Sequence, residues 1–226
     1  MRVEHLAEGI TLYNADCRLV PPTLGKVDAV VTDPPYGIDY GRQGSFQASH
    51  GWTPLRENLA WDKERPAREI FDALSLCSDH QIYWGGNYFT DFYPPSMKWL
   101  IWDKGQTDFS LADVEMAYCS WKGAARRMHY PRSRALKDGK EHPTQKPLQV
   151  MQWCIEQIPP PATLILDPFM GSGTTGVAAV KLGRKFIGIE VEEKYFDIAW
   201  RRISEALKQP DMFIEPSKPP KQEVLL

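Results

Sequence analysis

The sequence predicts an α/β domain with a largely parallel sheet covered by helices on both faces. Three observations predict it. Short apolar segments rich in β-branched residues recur along the chain, and helical periodicity appears between them. Strands separated by helices imply a parallel sheet shielded on both sides. The length of 226 residues, with 42% hydrophobic residues, suits one such domain with a modest insertion.

Seven segments read as strands, around 10–14, 27–32, 80–84, 98–103, 114–121, 163–167 and 185–190. Four segments read as helices. In 66–78, Ile70, Leu74 and Cys77 share a face behind Pro66. In 147–158, Leu148, Met151, Ile155 and Ile158 share one, with Pro147 suited to the first turn. A short apolar helix over 174–182 stops at Gly183, and 192–207 places Tyr195, Ala199, Ile203 and Ala206 on one side. Three regions break the rhythm. Residues 38–65 are polar and glycine-bearing, long enough for a functional lid. Residues 122–140, KGAARRMHYPRSRALKDGK, carry seven Lys/Arg against one acid, Asp138. The tail 209–226 has four prolines and reads as an extended end. The whole chain, 1–226, is thus one catalytic-sized domain without internal repeats.

Charge and cysteine usage narrow the function classes. The formal net charge of -2 does not advertise a nucleic-acid partner, although charge can be local. No apolar run is long enough to span a bilayer, and MRVEHLAEGI lacks a signal-peptide core. Cys17, Cys77, Cys119 and Cys154 are scattered without a CxxC pair, which argues against a zinc ribbon or other metal site. Their pattern fits small core residues in a reducing, cytoplasmic compartment.

The most informative block is TLILDPFMGSGTTG, residues 163–176. A strand ends in Asp167, a glycine loop follows, and a helix begins near Thr174. Glycines permit close backbone approach to a ligand, and a helix N-terminus offers unpaired N–H groups. A Walker loop requires Lys before Ser/Thr; Thr174 and Thr175 follow Gly173 directly, so that reading is set aside. Gly171, Gly173 and Gly176 spell GxGxxG, and Glu190 ends the next strand nineteen residues after Gly171. An acid there accepts hydrogen bonds from ribose hydroxyls, which NAD and S-adenosylmethionine share. Asp167 at the strand end would repel a pyrophosphate and attract an ammonium, which favours the sulfonium cofactor.

A second strand, VDAVVT, runs into Asp33-Pro34-Pro35-Tyr36-Gly37. A turn accounts for one proline and the glycine, and leaves the acid and the aromatic unexplained. Asp33-Pro34-Pro35-Tyr36 resembles the catalytic motif of the DNA amino-methyltransferases, which methylate adenine N6 or cytosine N4. Asp167-Pro168-Phe169-Met170-Gly171-Ser172-Gly173-Thr174-Thr175 resembles their cofactor motif. His142-Pro143-Thr144-Gln145-Lys146-Pro147 is similar to the segment leading into their other cofactor-facing helix. The catalytic motif precedes the cofactor motif, as in the circularly permuted β-class. The resemblance covers roughly residues 10 to 207.

The resemblance implies a Rossmann-like methyltransferase fold with one antiparallel strand and S-adenosyl-L-methionine as cofactor. Asp16, in Asn14-Ala15-Asp16, would face the cofactor's adenine; the alternative is capping of the following turn. Glu190 would hold the ribose, Asp167 and Pro168 would lie near the methionine ammonium, and Phe169 would form a wall. Gly171, Ser172, Gly173, Thr174 and Thr175 would form the loop, and Thr144 and Lys146 would meet the methionine carboxylate. A solvated surface lysine is the alternative for Lys146. At the catalytic end, Asp33 and the Pro34 carbonyl would accept both hydrogens of an exocyclic amine, freeing its lone pair for direct methyl transfer. Pro35 helps fix that carbonyl, and Tyr36 would stack on the base.

Such a base must leave the duplex. Loop 38–65, with Arg42, Gln43, His50, Trp52 and Arg56, would close over it or enter the groove. The basic island would act within a short recognition region, about 104–141, binding double-stranded DNA through Arg126, Arg127, Arg132 or Arg134; a solvated charged face is the alternative. Trp84-Gly85-Gly86-Asn87 either lines the pocket or is a buried aromatic beside a tight turn. Asp in first position leans toward adenine N6 over cytosine N4. An NAD oxidoreductase would explain residues 163–190 and leave Asp33 to Tyr36 unexplained. A non-catalytic nucleic-acid binder and an RNA or protein-glutamine methyltransferase are the remaining readings. Dimers are common in the permuted class, and the sequence leaves open a homodimer, a restriction partner and the recognition sequence.

Overall fold

The computed structural model describes residues 1–38, 62–107, 112–137 and 145–209. Most of loop 38–65, the tail beyond 209, and His142, Pro143 and Thr144 lie outside the described residues. Among those described, nine strands form one mixed sheet: β1 (Arg2–Ala7), β2 (Ile10–Asn14), β3 (Val27–Thr32), β4 (Ser78–Trp84), β5 (Trp99–Asp103), β6 (Val114–Cys119), β7 (Arg126–His129), β8 (Leu164–Asp167) and β9 (Lys185–Glu190). Their spatial order is β1-β2-β9-β8-β3-β4-β6-β5-β7. The five central strands, β2, β9, β8, β3 and β4, are mutually parallel. β6 runs antiparallel to both β4 and β5, and β1 closes the other edge as an antiparallel hairpin.

The helices are α1 (Arg68–Leu76), α2 (Arg132–Lys137), α3 (Leu148–Glu156), α4 (Thr174–Lys181) and α5 (Glu193–Lys208). Strand alternation sends Ala29, Val31, Ile82, Trp84, Ile165 and Phe186 to one face, where Met151, Cys154, Ala178, Phe196 and Ile203 of α3, α4 and α5 cover them. Val30, Tyr83, Leu166 and Ile189 face the other side, with Phe71 and Leu74 of α1 and with Phe89. Helices therefore lie on both faces, as expected. Tyr83, Phe89, Phe92, Tyr93 and Tyr118 add an aromatic cluster, with Tyr93 and Tyr118 centroids 4.4 Å apart.

Two strands were missed. β1 reads as polar because only one of its faces is covered; its burial pattern alternates exposed and half-buried residues from Glu4 onward. β7 lies inside the basic island, where RRMH lacks the apolar signature of a strand. It is an edge strand, pairing only with β5, and needs just one shielded residue, Met128. The described part of the island, 122–137, thus contains a strand and a helix joined by a short connection.

The helix after β3 and the helix after β8 go to opposite faces. These neighbouring strands therefore splay their following segments apart, which opens a crevice at their carboxyl ends. Asp33 and Asp167 stand on its two sides.

Two of the loop glycines serve packing. Gly173 has φ +81°, and a Cβ there would lie 2.8 Å from Ala199 Cβ; a Cβ on Gly176 would lie 2.4 Å from Ile203 Cδ1. α4 and α5 meet closely because both positions lack side chains. Gly173→Ala is expected to destabilise the domain by about 1–3 kcal/mol, through left-handed strain plus overpacking. Urea unfolding with a circular-dichroism readout checks this.

Candidate active site

Thr32 is the last residue of β3, and its hydroxyl donates to Asp167 Oδ1 at 2.6 Å. This bond joins the two strand ends across the crevice. The Phe169 backbone N–H also donates to Asp167 Oδ1 at 3.1 Å, so the same carboxylate shapes the start of the glycine loop. Asp167 is buried, and burial is the main reason its carboxyl is pushed up to about 6, against hydrogen bonds from Thr175 and Thr32.

The turn after β3 is held from outside by Asp62. Its Oδ1 accepts from the Tyr36 and Gly37 backbone N–H groups at 2.7 and 3.1 Å. Gly37 has φ +71°, and its missing Cβ would lie 2.8 Å from the Arg65 backbone nitrogen. The Tyr36 ring presses on Gly85, where a Cβ would come 2.1 Å from the ring edge. It also stacks on Tyr88, centroids 4.9 Å apart at 17°. Gly85 is therefore fixed by the Tyr36 ring. Trp84 beside it is wholly buried against the helical face, so the structure decides for the buried aromatic.

Asp33 is fully engaged. The Tyr36 hydroxyl donates to Oδ1, and Lys146 Nζ donates to Oδ2 at 2.6 Å. Burial raises the Asp33 carboxyl above its ordinary range, and the nearby Lys146 opposes that shift. Burial and the Asp33 carboxylate both raise the Tyr36 phenol. Lys146 is only 6% exposed at its side chain, which rules out a solvated surface lysine. Its ammonium also pairs with Glu115 Oε2 at 3.0 Å. The expectation was a contact with the cofactor's carboxylate; the Lys146 ammonium lies against Asp33 and Glu115.

On the cofactor side, Gly171 has φ +51°, and a Cβ there would meet nothing within 4 Å. It is the one glycine of the three that faces open space. Its N–H donates to Glu190 Oε2 at 2.9 Å, while Glu192 N–H donates to Oε1 at 2.9 Å. Both carboxylate oxygens of Glu190 are thus oriented by backbone, with lone pairs left for hydroxyl donors. Burial pushes its carboxyl up to about 7. Ser172 and Thr174 are tied down by Arg202 of α5, whose Nη1 reaches their hydroxyls at 3.0 and 3.1 Å. Ser172 Oγ also bonds Gln145 Oε1 at 3.2 Å, joining the loop to the segment before α3.

These features form a crevice with an acid on each wall, a backbone-facing opening at Gly171 and an oriented carboxylate at Glu190. A family profile described as DNA methylase matches residues 80–201. The chain belongs to the DNA methylase family. It is 51% identical to the type II methyltransferase M2.LlaDCHI of Lactococcus lactis subsp. cremoris, over 79% of this chain and 82% of that one. It is 31% identical to the type II methyltransferase M.HinfI of Haemophilus influenzae, over 79% of this chain but 50% of the relative, so it spans half that protein's length. The crystal structure of an M1.HpyAVI–SAM complex superposes with a TM-score of 0.59 at 24% identity, covering 85% of this chain and 98% of that one. The fold is accordingly that of the S-adenosylmethionine-dependent DNA methyltransferases.

The methylase's sequence-predicted residues fall into three groups. Asp33 to Tyr36 and Pro168 to Thr175 come together at the crevice, with Lys146, Asp167 and Glu190. Asp16 sits at the end of β2 beside Glu190's strand, but its carboxylate is used locally. It accepts from Arg18 N–H at 2.8 Å and Arg18 Nε at 3.0 Å, so it caps the turn. Arg18 lowers the Asp16 carboxyl below its ordinary value, chiefly by that hydrogen bond. The arginines lie at the far edge of the sheet. Arg126 and Arg127 are on β7, with Arg127 3.5 Å from Asp103; Arg132 and Arg134 are on α2, with Arg134 over the Tyr130 ring. β7 runs in the same direction as β5, β4 and β3, so α2 emerges at the same end of the sheet as Asp33.

Sequence reasoning missed Thr32, Asp62, Tyr88, Lys104, Glu115 and Arg202. Asp62 lay in the flagged loop 38–65, and Lys104 and Glu115 in the expected recognition region 104–141. The others sit in ordinary strand or helix contexts, and their roles come from partners distant in sequence.

Glu190 holds its proton to higher pH when folded, about 7, than in an unfolded chain, about 4.5. Between those values the folded state binds more protons, so its contribution to stability declines as pH rises. Glu190→Gln is expected to remove that decline, on the order of 1–3 kcal/mol across the window. Urea unfolding of both proteins at several pH values, without cofactor, measures it.

Proposed function

We propose that the chain transfers a methyl group from S-adenosyl-L-methionine to the N6 amine of an adenine flipped out of double-stranded DNA. Support comes chiefly from one juxtaposition. The Asp33 turn and the Gly171 opening stand on either side of the β3–β8 crevice, joined through the Thr32–Asp167 bond. Acceptors for an amine thus lie beside a site suited to a cationic cofactor.

The cofactor, when bound, supplies an electrophilic methyl on sulfur. The remaining work belongs to the chain. Glu190 is oriented to accept ribose hydroxyls, and Phe169 and the Gly171 backbone wall the pocket. Asp167 offers negative charge near the methionine amine, although burial leaves it partly protonated near neutral pH until a cation arrives. Asp16 would reach the adenine from its turn, and Thr144 would close the methionine end. Asp33 accepts one hydrogen of the target amine and the Pro34 carbonyl the other. This draws the nitrogen toward tetrahedral geometry and frees its lone pair. Tyr36 exchanges its stacking partner Tyr88 for the base. The proton released afterward goes to Asp33 or water.

α2 emerges at the active-site end of the sheet, which favours Arg132 and Arg134 as phosphate or base contacts. Arg126 and Arg127 would add backbone contacts from β7. The catalytic motif precedes the cofactor motif along the chain, in keeping with the permuted class. Type II relatives favour a restriction–modification role in the cytoplasm, where the DNA substrate lies. Cytosine N4 is the second reading, because the matched family spans both amines.

Labelled methyl transfer to unmethylated duplex DNA, followed by nucleoside analysis, tests the proposal. N6-methyladenine is the expected product; N4-methylcytosine would replace the base, and no label on DNA would reject the reading. Asp33→Ala is expected to keep cofactor binding by calorimetry while transfer falls by about 10³-fold. Near-normal transfer by that variant would overturn the role of Asp33.

A further inference from the structure

Glu115 belongs to none of the three motifs. It lies on β6, antiparallel to β5, with its carboxylate between two lysines. Lys104 Nζ is 2.8 Å from Oε1, and Lys146 Nζ is 3.0 Å from Oε2. Lys146 continues to Asp33 Oδ2 at 2.6 Å. Four side chains of alternating sign therefore run from the end of β5 to the catalytic turn. All four are shielded, with side-chain exposures of 6 to 26%.

This arrangement creates a conflict that Glu115 resolves. Both oxygens of Asp33 are occupied before any amine arrives, Oδ1 by the Tyr36 hydroxyl and Oδ2 by Lys146. A buried carboxylate without a cation takes up a proton and loses its capacity as an acceptor. A lysine bound to Asp33 alone would compete with the amine and oppose positive charge arriving on its nitrogen. Lys146 is bound to two anions instead. It can leave Oδ2 and keep Glu115, while Lys104 keeps Glu115 charged from the other side.

We propose that Glu115 is a positioning residue for methyl transfer: it anchors Lys146 as a displaceable counter-ion that keeps Asp33 ionised at rest and yields Oδ2 to the incoming amine. The inference rests on the functional reading above. Asp33 is faced by Lys146 and Tyr36, by Glu115 behind Lys146, and by Asp167 across the strand pair. Lys146 is faced by Asp33, Glu115, the Tyr36 hydroxyl and the Tyr36 and Trp84 rings. Burial alone favours protonating Glu115, but Lys146 and Lys104 outweigh it and hold its carboxyl at about 2, so it is an anion throughout the working range.

The test joins two measurements: carboxyl NMR titration of Asp33 in the full chain without cofactor, and single-turnover methyl transfer to duplex DNA at saturating S-adenosylmethionine across pH. Lys146→Met is expected to move the Asp33 titration upward by about one unit or more. Its transfer rate would then fall roughly tenfold more at about pH 6 than at about pH 8. Glu115→Gln is expected to move the titration the other way, because Lys146 then serves Asp33 alone, and to slow transfer roughly tenfold at every pH. Lys146→Arg should restore the wild-type profile. An unmoved titration in Lys146→Met, or a shift of the same sign in both variants, would overturn the inference. If Lys146→Met does not fold, Glu115→Gln and Lys146→Arg decide through the same titration. Wild-type protein that transfers no label to DNA would reject the functional reading, and the titration, which needs no DNA, would still decide the role of Glu115.

Discussion

The parallel pairing of β3 with β8 is the constraint on which the rest depends. These strands are separated by more than a hundred residues, yet Ala29 pairs with Ile165 and Val30 with Leu166. That register sets Thr32 one residue beyond the level of Asp167, close enough for their 2.6 Å hydrogen bond. The two following segments leave toward opposite faces, α1 on one and α4 on the other. A slip of one residue would exchange the faces of the shifted strand and bury the wrong side chains. The crevice is therefore a by-product of core packing, and its precision is inherited from Ala29, Val31 and Ile165, all completely buried.

Charge is distributed unequally along that crevice. At the Gly171 end, Asp167 and Glu190 make no ion pair among the described residues, and burial pushes their carboxyls up to about 6 and about 7. A positive charge placed beside such carboxyls favours their ionised form. At the catalytic end, the acids are paired. Asp33 and Glu115 share Lys146, and Lys104 completes the alternation. Buried pairs of this kind contribute little net stability against desolvation. Their value lies in fixing a charge state. Among the described residues, lysine thus pairs with the acids at one end of the crevice and not at the other.

The glycines show the same division of labour. GxGxxG is usually read as a single ligand-binding feature. Of these three glycines only Gly171 faces open space, whereas Gly173 and Gly176 admit Ala199 and Ile203 of α5. Arg202, on the same helix, then bonds Ser172 and Thr174. α5 therefore holds the loop from behind by shape and from its side by hydrogen bonds. One exposed glycine can meet a ligand because two others have surrendered their side chains to packing.

Much of the fold was legible in the sequence. β3 and β9 end where alternation and β-branching place them, and the four long helices fall within a few residues of their periodic segments. Local chemistry also exposed Asp33 to Tyr36 and Asp167 to Thr175, because proline, glycine and an acid at a strand end carry meaning without a partner. β1 and β7 escaped because edge strands need little apolar surface, and RRMH resembled a solvated run. What the sequence by itself determined was the fold class, the family and the order of its motifs. What only the tertiary structure decided was which charge meets which. Lys146 pairs with Asp33, Asp16 pairs with Arg18, and Glu115 and Lys104 join that charge network, because strand pairing, not spacing along the chain, sets the distances over which charges act.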